Sequence, residues 1–224
     1  MASASRQTRP VTIEKMDWVT VFWLFLLGSF LGYVIETAFC LVKNGIFESR
    51  QGLLFGPLSP VYGIAVVLMT LLFTPILQKN KGIIFMASSI LGGLYEVVCS
   101  YVQESVVGSI SWHYPPYALG IFNGRTSVIY MLFWGVLGLL FVRYGYPQVM
   151  KVLSRVTASR MTRYTKLLII LLAINIGLSV VAVKRWTERN SGIKAETKFE
   201  QRLDQTFPDA MMKTIYPNMM LPKK

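Results

Sequence analysis

The chain has 224 residues, of which 53% are hydrophobic and only 15% are charged, and its mean hydropathy is +0.47. This composition is too apolar for an ordinary soluble domain, so the sequence predicts an integral membrane protein. The formal charge of +12 could suit nucleic acid, but the basic residues lie between long apolar runs, which favours anionic membrane lipids as the partner and argues against nucleic acid.

The apolar runs predict the architecture. A bilayer core of about 30 Å needs about 20 apolar residues in a helix, and five runs approach or exceed that length. We therefore predict an all-α membrane domain, residues 18–183, with five transmembrane helices at residues 18–42, 57–77, 82–102, 126–142 and 167–183. The first run is too long for a secretory signal, and no small-residue cleavage site follows it, so we expect a retained helix. A cytoplasmic segment (1–17) and an extracytoplasmic tail (184–224) flank the domain.

The distribution of basic residues predicts the orientation. With five helices, one side of the membrane carries eleven basic residues and the loops opposite carry three: Lys43, Arg50 and Arg125. The eleven are Arg6, Arg9, Lys15, Lys79, Lys81, Arg143, Lys151, Arg155, Arg160, Arg163 and Lys166. By the positive-inside rule the amino terminus is cytoplasmic, and we expect a multi-pass protein of the plasma membrane.

Two acids interrupt the apolar runs at equivalent points. Glu36 follows Gly32 in "GSFLGYVIETAF" (28–39), and Glu96 follows Gly92 in "SILGGLYEVVCS" (89–100). Small residues at this spacing allow helices to approach closely within lipid. Each acidic helix is followed by a loop and another helix, so we predict two helix-loop-helix repeats plus a fifth helix, related by an axis along the membrane normal.

The acids and the loops together predict a polar site. A carboxyl group in hydrocarbon costs at least ~2.5 kcal/mol, so it should face the bundle and find a partner. The loops supply two arginines, and two helix starts, at "GPLSPVYG" and "FNGR", would favour an anion. We predict one outward-facing pocket for a small polar solute or lipid headgroup, lined by Glu36, Glu96, Arg50, Arg125, Tyr62, Asn123, His113 and Tyr114.

Each of these residues alone has a plainer interpretation. A protonated glutamic acid can simply bond a neighbouring helix, an interfacial arginine can extend to the headgroups, and a lone loop histidine is usually solvated. Cys40 and Cys99 show no metal or redox spacing, so we predict no metal and no cofactor. We interpret both cysteines as free thiols, although a disulfide is chemically permitted.

The same motifs carry a family resemblance. Gly32 to Glu36, "SRQGLLFGPLSPVYG" (49–63), Glu96, Trp112, "FNGR" (122–125) and Trp134-Gly135 resemble the ABC-transporter type IV family of CmpB-like multipass membrane proteins. The likeness covers residues 17–147, and "TFPDAMMKTIYPN" near the carboxyl end is similar to tails in that family. The resemblance implies a permease. The family commonly has Asn-Arg-Gly where this chain has Ser49-Arg50-Gln51-Gly52, which implies that the arginine is shifted by one position. The family also commonly has Trp-Asp-Tyr where this chain has Trp112-His113-Tyr114, which implies that an acid is missing at the rim of the site.

Three hypotheses follow for the function. The first is a permease-like protein. Since the chain has no phosphate-binding loop of the G-x-x-x-x-G-K-[ST] kind, any ATPase would be a separate subunit. A homodimer or another partner would complete a transport path. The second is an intramembrane enzyme on a lipid-linked substrate, with Glu36 or Glu96 as general base; the lack of known nucleophile motifs makes this the weaker hypothesis. The third is a structural or assembly protein whose acids lock helices together.

Overall fold

A computed structural model describes residues 17–73, 80–153 and 158–222. The protein is 74% helical, which confirms the all-α class. The described part contains α1 (Trp18–Asn44), α2 (Pro60–Phe73), α3 (Lys81–Val107), α4 (Val128–Leu140), α5 (Tyr146–Leu153), α6 (Ala158–Asn190), α7 (Lys198–Thr206) and α8 (Asp209–Ile215). A small antiparallel hairpin pairs β1 (Gly120–Ile121) with β2 (Thr126–Ser127).

Four helical stretches in the described residues are long and apolar enough to cross a membrane: Trp18–Asn44, Lys81–Val107, Val128–Val152 and Thr162–Asn190. In the third, a π-helical stretch (Phe141–Gly145) joins α4 to α5 without a break. These helices support a membrane protein, as the composition predicted. The second predicted helix is shorter: the described part of α2 has 14 residues, and residues 74–77 of the prediction lie outside the described residues, as do residues 1–16.

Local sequence sets the helix boundaries. The side chain of Asp17 accepts a hydrogen bond from the Thr20 amide at 2.8 Å and so caps the start of α1. Gly45 and Gly108 follow α1 and α3 with φ of +72° each, the left-handed conformation that ends a helix at little cost only in glycine. Both glycines therefore turn the chain into a loop at the same end of the bundle. We call this the loop end.

The helices pack as two pairs, α1 against α2 and α3 against α4, across small residues. A Cβ added to Gly63 of α2 would lie 2.1 Å from the Ser29 hydroxyl, and one added to Gly135 of α4 would lie 2.2 Å from the Ser89 hydroxyl. The helices are therefore closer than any larger side chain would allow, which is the packing predicted from the small-residue spacing.

Aromatic rings from α2 and α4 cover the next small residues along α1 and α3, Gly32 and Gly92. The Tyr62 side chain lies against Gly32, and the Trp134 side chain lies against Gly92; an added Cβ would approach them to 2.2 and 2.4 Å. The stripe of small residues beneath each acid thus receives one ring from the facing helix.

Both loops descend beside the long helices before the next helix begins. In the first loop, the Arg50 amide donates to the Thr37 hydroxyl at 3.3 Å, and the Ser59 amide donates to the Ser29 carbonyl at 3.0 Å. Residues 50–59, the first descending segment, therefore run alongside about 12 Å of α1, taking 1.5 Å per helical residue. For this reason α2 begins half-way along α1 rather than at its loop end. Residues 120–127 form a second descending segment beside α3.

Non-helical backbone at membrane depth is tolerated only where its polar groups find partners within the protein or a wet cavity. In the first descending segment, α6 supplies them. The Asn175 side chain accepts from the Phe55 amide at 3.2 Å and donates to its carbonyl at 2.7 Å, and the Ser179 hydroxyl accepts from the Leu54 amide at 2.9 Å. These two polar side chains thus have a structural role inside an apolar helix.

The carboxyl-terminal residues fold against the loop end. α7 begins with a capping box formed by Thr197 and Glu200, and α8 follows directly. Arg185 and Arg189 of α6 both bind Asp204 of α7, at 2.8 and 2.6 Å. A buried cluster joins α6, α7 and α8 to the first loop and the end of α3: Leu54, Val107, Ala182, Val183, Trp186, Leu203, Phe207, Met212 and Tyr216. We call residues 191–222 the C-terminal cap.

Candidate functional site

Glu96 is buried in α3, with 7% of its surface exposed, and hydroxyl groups from the second loop bind it. The Thr126 hydroxyl donates to Oε2 at 2.6 Å, and the Tyr114 phenol donates to Oε1 at 3.3 Å. Thr126 can reach the acid because the second descending segment brings β2 down to this level of α3. The carboxyl group is therefore held by neutral donors from a loop.

Glu36 occupies the corresponding position on α1 and is half-buried. Its carboxyl group interacts with the Tyr62 phenol of α2 and with the charge of Arg50. The Tyr62 ring stacks on Trp134 with 5.8 Å between ring centroids and 27° between planes, and the Trp134 side chain in turn interacts with Glu96. The two acids thus flank one aromatic pair, and they are close enough for their charges to interact.

The two arginines pair elsewhere. Arg50 binds Glu48 at 3.0 Å, and in the amide orientation that satisfies both groups the Asn218 carbonyl accepts from its Nη1 at 2.6 Å and its Nε at 3.2 Å. Arg50 therefore lies near Glu36 without forming an ion pair with it.

Arg125 follows the same pattern in the second loop. Its guanidinium binds Glu104, donates to the Ser100 hydroxyl at 2.8 Å and lies 3.8 Å from the centroid of the Tyr101 ring. Within residues 17–73, 80–153 and 158–222, neither intramembrane acid has a cationic group within 4.0 Å.

The remaining predicted residues divide into two groups. Tyr114 joins the site: its ring stacks on Tyr130 at 4.4 Å, and burial raises the pKa of its phenol, so it remains a hydrogen-bond donor at neutral pH. His113 and Asn123 are exposed. His113 lies against the Gly124 turn, and Asn123 has a φ of +55°, so these two residues shape the loop.

Two cavities lie next to the helix pairs, and both are apolar. One, of about 280 Å³, lies between α2 and α3 and includes Gly92, Tyr95 and Trp134 just below Glu96. The other, of about 420 Å³, is lined by α1, α2 and α6. Neither is lined by Glu36 or Glu96, so the acids contact hydroxyl and aromatic groups rather than one of these spaces. In the described part of the chain, no three His, Cys, Asp or Glu side chains gather as a metal ion would require.

Thr126 and Trp134 are the site residues that the sequence analysis did not select. A signal for Trp134 is present, since "VYG" (61–63) and "FWG" (133–135) both place an aromatic residue before the glycine that packs against the preceding helix. Thr126 directly follows the "FNGR" motif, but nothing in its spacing indicates a bond to Glu96.

Comparison with known proteins gives one match. The family model described as "Putative ABC-transporter type IV" matches residues 23–180, which include both acids, both descending segments and most of α6. No curated protein and no solved structure matches the chain.

Proposed function

The chain belongs to the Putative ABC-transporter type IV family, and we propose that it is a permease-like plasma-membrane protein whose polar site, around Glu36 and Glu96, binds a small polar solute or a lipid headgroup. The family match and the apolar helices support a membrane protein related to transport. The site itself rests on the geometry of the two acids.

One observation carries this proposal: two intramembrane carboxyl groups flank a shared aromatic pair and are held by hydroxyl and phenol donors. Ionisable residues inside a membrane are costly and commonly mark solute or proton paths. Because neutral groups hold these acids, each can exchange a proton or accept a cationic group without first breaking an ion pair. Aromatic faces beside carboxylates also suit ammonium groups. We therefore expect the cationic part of the solute or headgroup to bind here.

We also propose that the membrane domain has five passes and consists of two repeated units followed by α6. Equivalent contacts support the repeat. Gly63 packs against Phe25 and Ser29, and Gly135 packs against the residues 60 positions later, Phe85 and Ser89. Facing residues of the second helix of each unit differ by 72 positions, because in the second unit the loop is longer and both helices extend further towards it.

The proposed orientation puts the amino terminus in the cytoplasm and the loop end outside. The excess of Lys and Arg on one side of the helices supports it. Membrane lipids surround the bundle, and a homodimer or a separate partner subunit would complete a transport path. An ATPase partner would have to be another chain, since this sequence has no phosphate-binding loop.

A stabilisation screen tests the proposed site. The protein in lipid nanodiscs is heated with choline, ethanolamine, amino acids, polyamines and glycerophosphodiesters in turn. A compound at about 100 times its dissociation constant adds about 2.7 kcal/mol to the free energy of unfolding. We expect at least one compound to stabilise the wild type and the control Glu196→Gln, whose exposed carboxyl group is in the C-terminal cap, but not Glu36→Gln or Glu96→Gln. Stabilisation that persists in both variants, or none with any compound, would contradict the proposal.

A structural role is the second candidate, and a specific observation favours it. The bonds from Thr126 and Tyr114 to Glu96 fasten the second loop to α3. If the acids serve only this purpose, Glu96→Gln lowers the unfolding temperature, and no compound in the screen raises it. The same experiment therefore separates the two candidates.

A further inference from the structure

The last residues of the C-terminal cap cross both loops. Residues 216–222, which we call the strap, reach the first loop through Asn218 and Arg50 and the second loop through Met220 and Ile110. Met220 and Ile110 exchange two backbone hydrogen bonds of 2.8 and 3.3 Å. At its end, the Pro222 carbonyl accepts from the Asn190 side chain at 2.6 Å.

The strap is attached differently from the rest of the C-terminal cap. α7 and α8 contribute the buried Leu203, Phe207 and Met212 to the cluster. Beyond Tyr216 the strap has no buried residue: Met219 and Leu221 pack against the cluster but are only partly buried, and the polar contacts above complete its attachment. Segments with little buried apolar surface open at a lower free-energy cost than the core they attach to. The strap can therefore detach while α7 and α8 stay docked.

Side-chain contacts connect the strap to the face of α1 that carries Glu36. Asn218 holds Arg50, the Arg50 guanidinium interacts with the Cys40 thiol, and Cys40 lies one helical turn from Glu36 on the same face. Cys40 is buried, with 5% of its surface exposed. Contacts thus connect the strap, through Asn218 and Arg50, to Cys40, one helical turn from Glu36.

We propose that the strap is a releasable gate: when bound to Arg50 and Ile110 it closes the loop end above Glu36, and its release exposes the face of α1 that carries Cys40 and Glu36. Release also removes the Asn218 carbonyl from the Arg50 guanidinium, which then keeps its ion pair with Glu48 but has fewer contacts that hold it in place. The gate goes beyond the proposed solute site and does not depend on the identity of a solute.

A cross-link tests the closed state. Residues that exchange two hydrogen bonds across an antiparallel pair have Cα atoms about 5.5 Å apart, which suits a disulfide. The protein carries Cys99→Ala together with Ile110→Cys and Met220→Cys and is placed in nanodiscs. The two new cysteines are oxidised to a disulfide, and a membrane-impermeant maleimide is then added to label Cys40. The rate of Cys40 labelling is followed by peptide mass spectrometry, before and after reduction. We expect reduction to raise this rate at least tenfold.

A second set of variants tests the release in the full chain without a cross-link. Asn218→Ala should raise the rate of Cys40 labelling above that of its Cys99→Ala parent, while Gln205→Ala, at an exposed position of α7, should match the parent. Failure of the disulfide to form, equal Cys40 rates in the oxidised and reduced proteins, or an Asn218→Ala rate equal to that of its parent would overturn the gate. Because the readout needs no solute, either outcome is independent of the stabilisation screen.

Discussion

Replacing Thr126 by valine tests whether the second loop is fastened to Glu96. Valine keeps the shape of threonine, so it removes the 2.6 Å hydrogen bond to Oε2 while leaving little cavity. Both partners are buried, with 1% and 7% of their surfaces exposed, so the abandoned carboxylate oxygen has no access to bulk water. Leaving a buried acceptor without its donor costs about 1–3 kcal/mol, and we expect a loss of about 2 kcal/mol.

The measurement is a double-mutant cycle of thermal unfolding in nanodiscs. Thr126→Val alone should lower the free energy of unfolding by about 2 kcal/mol, or the midpoint by about 4–8 °C for a chain of this size. In the Glu96→Leu background, where the acceptor is absent, the same substitution should cost almost nothing. The coupling energy of the pair is the difference between these two costs. A coupling energy below about 0.5 kcal/mol would refute the fastening, because an ordinary exposed pair gives that much.

Three further predictions concern packing, pH and the first loop. Gly92→Val should destabilise the protein by about 1–3 kcal/mol because its Cβ would overlap the facing indole, whereas Gly177→Ala, with nothing within 4 Å, should be neutral or stabilising in the same unfolding assay. Burial opposes ionisation of Asp204, but two guanidinium groups of α6 outweigh this effect and hold the pKa of Asp204 below its usual range. We therefore expect α7 to be fully docked above about pH 4 and to loosen as the pH falls further, which hydrogen exchange would measure. The Asp204→Asn variant should show no such change with pH. Asn175→Ala should cost about 1–3 kcal/mol in the same unfolding assay, because it orphans two backbone groups of the first descending segment.

The sequence contained enough information to locate the acids but not their partners. Helical spacing indicates that Gly32 and Glu36 share one face, and that Gly92 and Glu96 share another, because the period of an α-helix depends only on position. Those faces do pack against neighbouring helices, and both acids lie beside one aromatic pair.

The partners of the arginines depend on the path of the loops, which periodicity does not describe. Arg50 and Arg125 were predicted to line a pocket with the intramembrane acids, and in the structure their ion pairs are with Glu48 and Glu104. A flexible arginine reaches several groups from one backbone position, so its nearest carboxylate is decided by a few ångströms of loop geometry. Whether these arginines contact a bound anion stays a prediction.

The predicted start of the second helix, residue 57, lies within three residues of the start of α2 at Pro60, but hydropathy did not indicate the path of the loop before it. The residues of "QGLLFGPLS" (51–59) are apolar enough to extend a predicted helix, yet they form a non-helical series of bends whose backbone bonds partly with α6. An apolar run reports burial in lipid or protein and does not distinguish helix from other buried conformations. The polar side chains that decide the matter lie 120 residues later in the chain.

Asn175 and Ser179 restrict the register of α6, because both side chains must face the first loop to bind its backbone. Each residue of an α-helix turns the following ones by about 100° and raises them by about 1.5 Å. A single residue inserted between Thr165 and Asn175 would swing the amide and hydroxyl groups away from the first loop, while the helix itself remained equally apolar. Length variation should therefore be better tolerated beyond Asn190 than within α6, although neither change would alter a hydropathy profile.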